Sequence, residues 1–358
     1  MSAPTVSLAM PKGAEPALFA DPKLLHKKAA GDAILDEPEV LSPRWGHGDR
    51  ILMVEGEGMM IVGGQGVGKS FLGQQFVMNC IGVRKEAALL NLPIKPLADG
   101  ERVLYLGMDR PRQILRSMKR MVSEEDRLLV NEKMDLWSGP VPVALENFAD
   151  WVKTSFDGVR LVVIDSLKDL VADLVDGKNA NLFNTAVQTL IRDGIDVVAL
   201  HHNRKATLQG DNDSINSIYG SQWITAGFGS ILMIVGAPGD DLVTVKHIKQ
   251  AFDKVQDIQV QHDQRLGVST ALTNDQAFEI QNQRPSVFSV MKDDPTRVWT
   301  VKDLTQEVYG SCEVTQRKAV ERELKKLETS RVVTKQGGGR GKAAAYLYNH
   351  SPIDTYKA

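Results

Sequence analysis

The chain has 358 residues, of which 42% are hydrophobic and 25% are charged, and its formal net charge is −2. This balance is typical of a globular protein with a large core, and the length suggests two domains or one large domain with appendages. The near-neutral charge excludes a globally basic surface for nucleic acid, so any such surface must be local.

The two cysteines, Cys80 and Cys312, lie far apart and have neither a CxxC nor a Cys/His spacing. This predicts a reducing compartment, with no disulfide framework and no zinc site. No apolar run is long enough to cross a bilayer, and the N-terminus lacks the basic and apolar regions of a signal peptide. We therefore expect a cytoplasmic protein without a membrane partner.

Residues 1–40 are predicted to be a flexible N-terminal segment, since the start is rich in Ala, Pro and Lys and shows no clear period. Prolines in the approach to residue 50 exclude a long helix there.

Residues 41–283 alternate between apolar runs and helical stretches, which predicts an α/β domain with a mostly parallel sheet. The apolar runs are nearly continuous in hydrophobicity, as in strands buried on both faces. These runs are GMMIVGG, RVLYLGM, VRLVVIDS and DVVALHH, and the helical stretches are KSFLGQQFVMNCIG, PRQILRSMKRMVS and NLFNTAVQTLIRDG. A later pair, SILMIVG and LVTVKHIK, is expected to be antiparallel or added at a sheet edge.

Residues 284–350 are predicted to form a small winged helix-turn-helix domain, and residues 351–358 a C-terminal tail. The pattern is helix, short strand, helix, turn, helix and a glycine-rich β-hairpin. Apolar residues at helical spacing mark the buried faces. They are Val301, Leu304, Val308, Val320, Leu324 and Leu327.

A glycine-rich loop between a predicted strand and a predicted helix fits the phosphate-binding pattern GxxxxGK[ST]. It consists of Gly63, Gly64, Gln65, Gly66, Val67, Gly68, Lys69 and Ser70. Backbone N–H groups that turn inward form an anion site, which Cβ atoms would obstruct, and the helix N-terminus favours negative charge. We predict that the loop and the adjacent Phe71 bind ATP, with Lys69 on the phosphates and Ser70 on Mg²⁺. The alternative is a glycine-rich turn without a ligand.

Two carboxylates at predicted strand ends complete this site. Asp165 ends a buried strand, and such a carboxylate can hold Mg²⁺. Asp109 ends the strand after the loop helix and is predicted to orient the attacking water. The alternatives are an ordinary turn-capping aspartate at 165 and an N-cap before Pro111 at 109.

The runs WGHGD, VEGEGMMIVGGQGVGKS and VLYLGMDRPRQILRSMKRM resemble RecA-like hexameric ATPases. Within that group they look like the RepA-type helicase branch of the AAA-family ATPases, including proteins of actinobacteria and their phages. The resemblance covers residues 40–265 and implies a RecA-like P-loop ATPase core. The group most often has a glutamate where this chain has Asp109, so the shorter carboxylate is a departure that bears on rate and geometry.

The resemblance also implies roles for residues on later strands. His202 would sense the γ-phosphate, and the following loop, with Arg204 and Lys205, would contact DNA. Lys249 would reach the nucleotide of a neighbouring subunit and stabilise charge in the transition state, which requires an oligomer. The alternatives are a structural histidine and a solvent-facing edge lysine.

Basic residues of the C-terminal domain predict contact with duplex or forked DNA. On the last helix and the wing these are Arg317, Lys318, Lys335, Arg340 and Lys342. Acidic residues interspersed on the helix leave open a winged helix that serves protein contacts or ring assembly.

Together these features predict a Mg²⁺-dependent ATPase that forms a homo-oligomeric ring or hexamer. We expect a DNA helicase acting on single-stranded or forked DNA in replication or recombination of bacterial, plasmid or phage DNA. Two alternatives stay open, a RecA/RadA-like recombination or repair ATPase and an ATP-switched DNA-binding regulator. A GTPase is not expected, because no NKxD-type signature follows the later strands.

Overall fold

The computed structural model describes residues 29–38, 41–84, 87–171, 173–203, 214–220, 222–283, 285–337 and 344–349. The chain divides into two compact units, Met1–Leu41 and Ser42–Ala358. The described part of the first unit contains helix α1 (Ala30–Leu35), which buries none of its residues. A short helix therefore lies inside the segment predicted to be flexible, and residues 1–28 of that segment lie outside the described residues.

The second unit opens with a β-hairpin and continues with alternating strands and helices. The hairpin strands are β1 (Pro43–His47) and β2 (Arg50–Val54). The elements that follow are β3 (Gly58–Gly63), α2 (Lys69–Cys80), β4 (Ala88–Leu89), β5 (Leu92–Pro93), β6 (Arg102–Gly107), α3 (Pro111–Met118), α4 (Arg127–Lys133), β7 (Met134–Ser138), α5 (Phe148–Ser155), β8 (Val159–Asp165), α6 (Leu167–Leu170), α7 (Gly177–Arg192) and β9 (Asp196–His202). Four more strands are β10 (Ser230–Val235), β11 (Leu242–Lys249), β12 (Ile258–Asp263) and β13 (Val268–Leu272).

Nine strands of the described chain form one sheet in the order β13-β12-β11-β10-β3-β9-β8-β6-β7. The strands from β10 to β7 are parallel to their neighbours, which confirms an α/β fold with a large, mostly parallel sheet. The strands β11, β12 and β13 are antiparallel. The predicted antiparallel pairing of SILMIVG, β10, with LVTVKHIK, β11, is confirmed. Strand β10 does not lie at a sheet edge, because its other side pairs in parallel with β3.

Both faces of the sheet are covered, as the apolar runs predicted. Side chains alternate along β3, so Met59 and Ile61 pack into the layer that contains α2. Met60 and Val62 pack into the opposite layer, which contains α7. Because the strands from β10 to β7 are parallel, their carboxyl ends lie together at one end of the sheet.

Two predicted helices differ in length from the sequence expectation. Helix α7 begins at Gly177, before the predicted start, because the side chain of Asp176 accepts a hydrogen bond from the backbone N–H of Lys178. Helix α3 ends at Met118 and does not continue through Met121.

The C-terminal region has the predicted order of elements and a core of its own. Its elements are α8 (Asn274–Gln283), α9 (Val287–Asp293), β14 (Trp299–Thr300), α10 (Val301–Tyr309), α11 (Val314–Thr329), β15 (Val333–Gly337) and β16 (Ala344–Tyr348). The strands form a three-stranded antiparallel sheet in the order β14-β16-β15. Leu304, Val308, Val320 and Leu324 are buried, and Val301 and Leu327 pack against them. The hairpin tip at 338–343 and the tail at 351–358 lie outside the described residues.

In the described part of the chain, no helix is both long and apolar enough to span a membrane. Cys80 and Cys312 are free thiols.

Candidate nucleotide-binding site

The glycine-rich loop joins the end of β3 to the start of α2. Gly66 and Gly68 have φ values of 77° and 97°, a region of backbone conformation that favours glycine. A Cβ on Gly68 would also overlap the ring of His262, which comes from β12 and packs edge-on against Phe71. The loop therefore requires glycine at position 68 both for its backbone path and for its neighbour.

The rest of the loop divides between the core and the surface. Val67 and Phe71 are buried in the hydrophobic layer beneath the loop, whereas Gln65 and Gly66 are exposed. The side chain of Phe71 therefore anchors the helix, so any contact of this residue with a nucleotide would come from its backbone.

Lys69 is buried and folds back over the loop. Its Nζ donates hydrogen bonds to the backbone carbonyls of Gly63, at 3.1 Å, and Gly64, at 2.6 Å. Burial lowers its pKa to about 8, an effect that the charge of Asp165 opposes and that of Lys168 reinforces. A buried ammonium group held at a concave loop suits an anionic ligand.

The predicted metal ligands lie within hydrogen-bonding distance of each other. Ser70 Oγ donates to Asp165 Oδ1 at 3.0 Å, and Tyr105 Oη donates to Asp165 Oδ2 at 2.7 Å. Burial raises the pKa of Asp165, although both hydrogen bonds and the charge of Lys69 favour its ionised form. A hydroxyl and a carboxylate are oxygen ligands of the kind that Mg²⁺ prefers, so these residues fit that ion.

Asp109 lies two residues beyond the end of β6 and contacts a lysine. Its Oδ2 accepts a hydrogen bond of 3.0 Å from Lys168 Nζ, and both side chains are partly exposed. The N-capping alternative for Asp109 was wrong, because Arg110 occupies the N-cap of α3 and no side chain caps that helix end. Burial is the main cause of the raised pKa of Asp165, and the charge of Asp109 raises it further.

His202 ends the strand beside the loop strand and pairs in register with Gly63. Burial, followed by the positive charge of Lys69, lowers its pKa to about 4, so the imidazole is neutral near pH 7. The neighbouring His201 is buried, and its Nε2 donates a hydrogen bond to the carbonyl of Tyr219. This bond connects the end of β9 to a residue 18 positions later in the chain. Arg204 and Lys205 lie outside the described residues.

Lys249 lies at the end of the sheet opposite to the glycine-rich loop of the same chain. The register pairs it with Ile231 at the start of β10, whereas Gly63 pairs with Ile234 near the end of that strand. Its Nζ donates to the carbonyls of Thr225 and Ala226 at 3.0 and 3.4 Å. A role toward a neighbouring subunit stays a prediction, and it would require these contacts to be exchanged.

The predicted DNA-binding residues of the C-terminal region are exposed where the structure describes them. These are Arg317 and Lys318 on α11 and Lys335 on β15. Arg340 and Lys342 lie outside the described residues.

One arginine of α11 contacts the ATPase core. Arg322 Nη2 donates to the carbonyl of Pro238 at 2.8 Å and to Asp240 Oδ1 at 3.0 Å. The N–H of Gly239, in the same turn, donates to the carbonyl of Gly66 at 3.1 Å. A short chain of contacts thus connects helix α11 to the glycine-rich loop.

Sequence reasoning missed Tyr105, Lys168 and His262. The only available signal was for Lys168, which follows Asp165 by three residues on the next helix. Among the described residues, no cluster of three or more His, Cys, Asp or Glu could hold a different metal ion.

The sheet order, the loop and the Ser70–Asp165 contact are those of an α/β domain with a P-loop nucleotide-binding site. A family model described as "AAA domain" matches residues 23–207, slightly more than half of the chain, and the protein belongs to this family. No curated protein matches the chain.

Among solved structures, one described as an ATPase domain matches with a TM-score of 0.45 and 11% sequence identity. The match covers 61% of this chain and 86% of that one. At this level of similarity the match adds nothing to the assignment.

Proposed function

We propose that this protein is a Mg²⁺-dependent ATPase that works as a ring-forming DNA motor, a DNA helicase of bacterial, plasmid or phage replication or recombination. The observation that carries the proposed ATPase activity is the 3.0 Å hydrogen bond between Ser70, the residue after Lys69, and Asp165. It brings a phosphate-binding loop and a metal-binding carboxylate to one place.

Each residue of the site has a specific role in this proposal. The loop amides and Lys69 bind the phosphates, and Ser70 and Asp165 hold Mg²⁺, which neutralises charge on the phosphates when bound. Asp109 orients a water molecule and accepts its proton as the water oxygen bonds to the γ-phosphorus. The bond between the γ-phosphorus and the bridging oxygen breaks, and ADP and inorganic phosphate leave.

The DNA part of the proposal is supported by the C-terminal region and by the sequence resemblance. Support comes from exposed Arg317 and Lys318 on α11 and from exposed Lys335 on β15, the positions where the proposed winged helix would contact DNA. The resemblance to hexameric ATPases supports a ring in which Lys249 acts on a neighbour, and we place this ring in the cytoplasm.

A second candidate is an ATP-switched DNA-binding regulator. The contact of Arg322 with the turn at 238–240 favours it, because that turn also contacts Gly66 of the loop. In this candidate, nucleotide state would alter the position of the winged helix without strand separation.

One experiment separates the candidates. ATP hydrolysis is measured without DNA, with single strands and with forked duplex, next to strand separation and electron microscopy of the assembly with a non-hydrolysable nucleotide. A motor predicts rings, stimulation by single strands and unwinding of forks. Nucleotide-dependent duplex binding without unwinding or stimulation favours the regulator, and absence of hydrolysis under all conditions contradicts both.

A further inference from the structure

A second lysine faces the candidate site. Lys168 lies on α6, the short helix that begins two residues after Asp165. Its Nζ is 3.0 Å from Asp109 Oδ2 and 4.0 Å from Asp169 Oδ1. The carboxylate predicted to orient the attacking water is therefore held by a positively charged partner.

The charge of Lys168 also acts on the loop side of the site. Burial is the main cause of the lowered pKa values of Lys69 and His202, and the charge of Lys168 lowers both further. Lys168 follows Asp165 by three residues, and Asp165 contacts Ser70 of the glycine-rich loop, so Lys168 lies at the same end of the sheet as the loop. Lys168 and Asp109 are 43% and 41% exposed, which leaves their ion pair open to a ligand from solution.

We propose that Lys168 is a γ-phosphate-binding residue whose ammonium group pairs with Asp109 in the nucleotide-free protein and moves to the γ-phosphate when ATP binds. This inference rests on the proposed ATPase function. The terminal phosphate of ATP carries more negative charge than a carboxylate, so it competes well for the ammonium group. The exchange of partners frees Asp109 to accept a hydrogen bond from water.

If Lys168 binds the γ-phosphate, it increases the affinity for ATP but not the affinity for ADP. ADP has no γ-phosphate, so the ion pair with Asp109 persists when ADP is bound. A purely structural pair between two partly exposed side chains contributes little to stability and predicts no such difference.

The test is calorimetric titration of the full chain with Mg·ADP and with Mg·ATPγS. We expect Lys168→Ala to weaken ATPγS binding about tenfold and to change ADP binding by less than about twofold. Lys168→Arg, which keeps the charge, should retain part of the preference for ATPγS. Asp109→Asn removes the competing carboxylate and keeps the ammonium group, so its ATPγS affinity should equal or exceed that of the wild type.

The matched control is Lys153→Ala. Lys153 forms a similar ion pair, with its Nζ 2.8 Å from Asp193 Oδ2. Asp193 lies three residues before β9, at the end of the sheet opposite to the glycine-rich loop. This variant should bind both nucleotides as the wild type does. If Lys168→Ala fails to fold by circular dichroism, Lys168→Gln takes its place.

Two results would overturn the proposal. One is an equal loss of affinity for both nucleotides, and the other is no loss for either. A wild-type protein that binds neither nucleotide would overturn the proposed ATPase function as well, which distinguishes that failure from a failure of the Lys168 assignment alone.

Discussion

Tyr105 on β6 donates a hydrogen bond of 2.7 Å to Asp165 at the end of the neighbouring strand β8. Tyr105 is fully buried, and burial together with the charge of Asp165 raises its pKa. Its hydroxyl is therefore a permanent donor, and it fixes one carboxylate oxygen while Ser70 contacts the other. The orientation of the predicted metal ligand thus depends on a residue without any motif of its own.

Replacing Tyr105 by phenylalanine should weaken the Mg²⁺ site specifically. A hydrogen bond to a charged group contributes about 1.5–3 kcal/mol, so the Mg²⁺ concentration for half-maximal hydrolysis should rise about tenfold or more. Nucleotide binding without Mg²⁺ should change little. The control is Tyr346→Phe, in the core of the C-terminal region, and an unaltered Mg²⁺ titration for Tyr105→Phe would contradict the role.

Nucleotide affinity should fall at alkaline pH because of Lys69. Its pKa is about 8 in the nucleotide-free protein, so the ammonium group is charged below that pH and loses its charge as pH rises through it. If binding requires the charged form, the dissociation constant of ADP should increase about tenfold per pH unit above the pKa. The slope, measured by calorimetry from pH 7 to 9.5, should vanish in Lys69→Met; a variant with the wild-type slope would show that another group titrates.

Asp109 should affect hydrolysis and not ADP binding. Loss of a general base typically costs about 10²–10⁴ in rate, so Asp109→Asn should lower turnover by that range and leave the affinity for ADP close to wild type. Asp109→Glu restores a carboxylate and should recover measurable turnover. Single-turnover kinetics check this, and full turnover in Asp109→Asn would assign the water-orienting role to another residue.

The contact between α11 and the ATPase core should protect the turn at 238–240. Arg322 and Asp240 are partly exposed, so their pair should contribute about 1 kcal/mol at most. Arg322→Ala should accelerate amide exchange in this turn up to about fivefold, as read by hydrogen-exchange mass spectrometry. Lys318→Ala, on the exposed part of the same helix, is the control, and equal exchange in both variants would mean that the contact does not persist in solution.

Local sequence patterns predicted those elements whose structure depends on residues close together in the sequence. The loop, the apolar strands and the helix stripes of α10 and α11 all follow from spacing within one segment. Tyr105 and Lys168 could not be predicted in this way, because their partners Asp165 and Asp109 are 60 and 59 residues away in sequence. Only the strand order β8-β6 brings these residues together.

The same limit applies to the sheet order and to the C-terminal region. The parallel pairing of β10 with β3 depends on a chain return across the sheet that no local pattern records. Arg322 lies on the polar face of α11, yet it contacts Asp240 across 82 residues of sequence. Amphipathic spacing identifies which helix face is polar, but it does not identify what that face contacts.

The most direct test of the central claim is calorimetric titration of the purified chain with Mg·ATPγS, in the wild type and in Lys69→Ala. The claim is that the loop at 63–70, with Ser70 and Asp165, binds a nucleoside triphosphate and Mg²⁺. It predicts saturable heat at one site per chain for the wild type and a loss of affinity of about a hundredfold or more for Lys69→Ala. No binding heat in the wild type, or equal affinity in the two proteins, would contradict it.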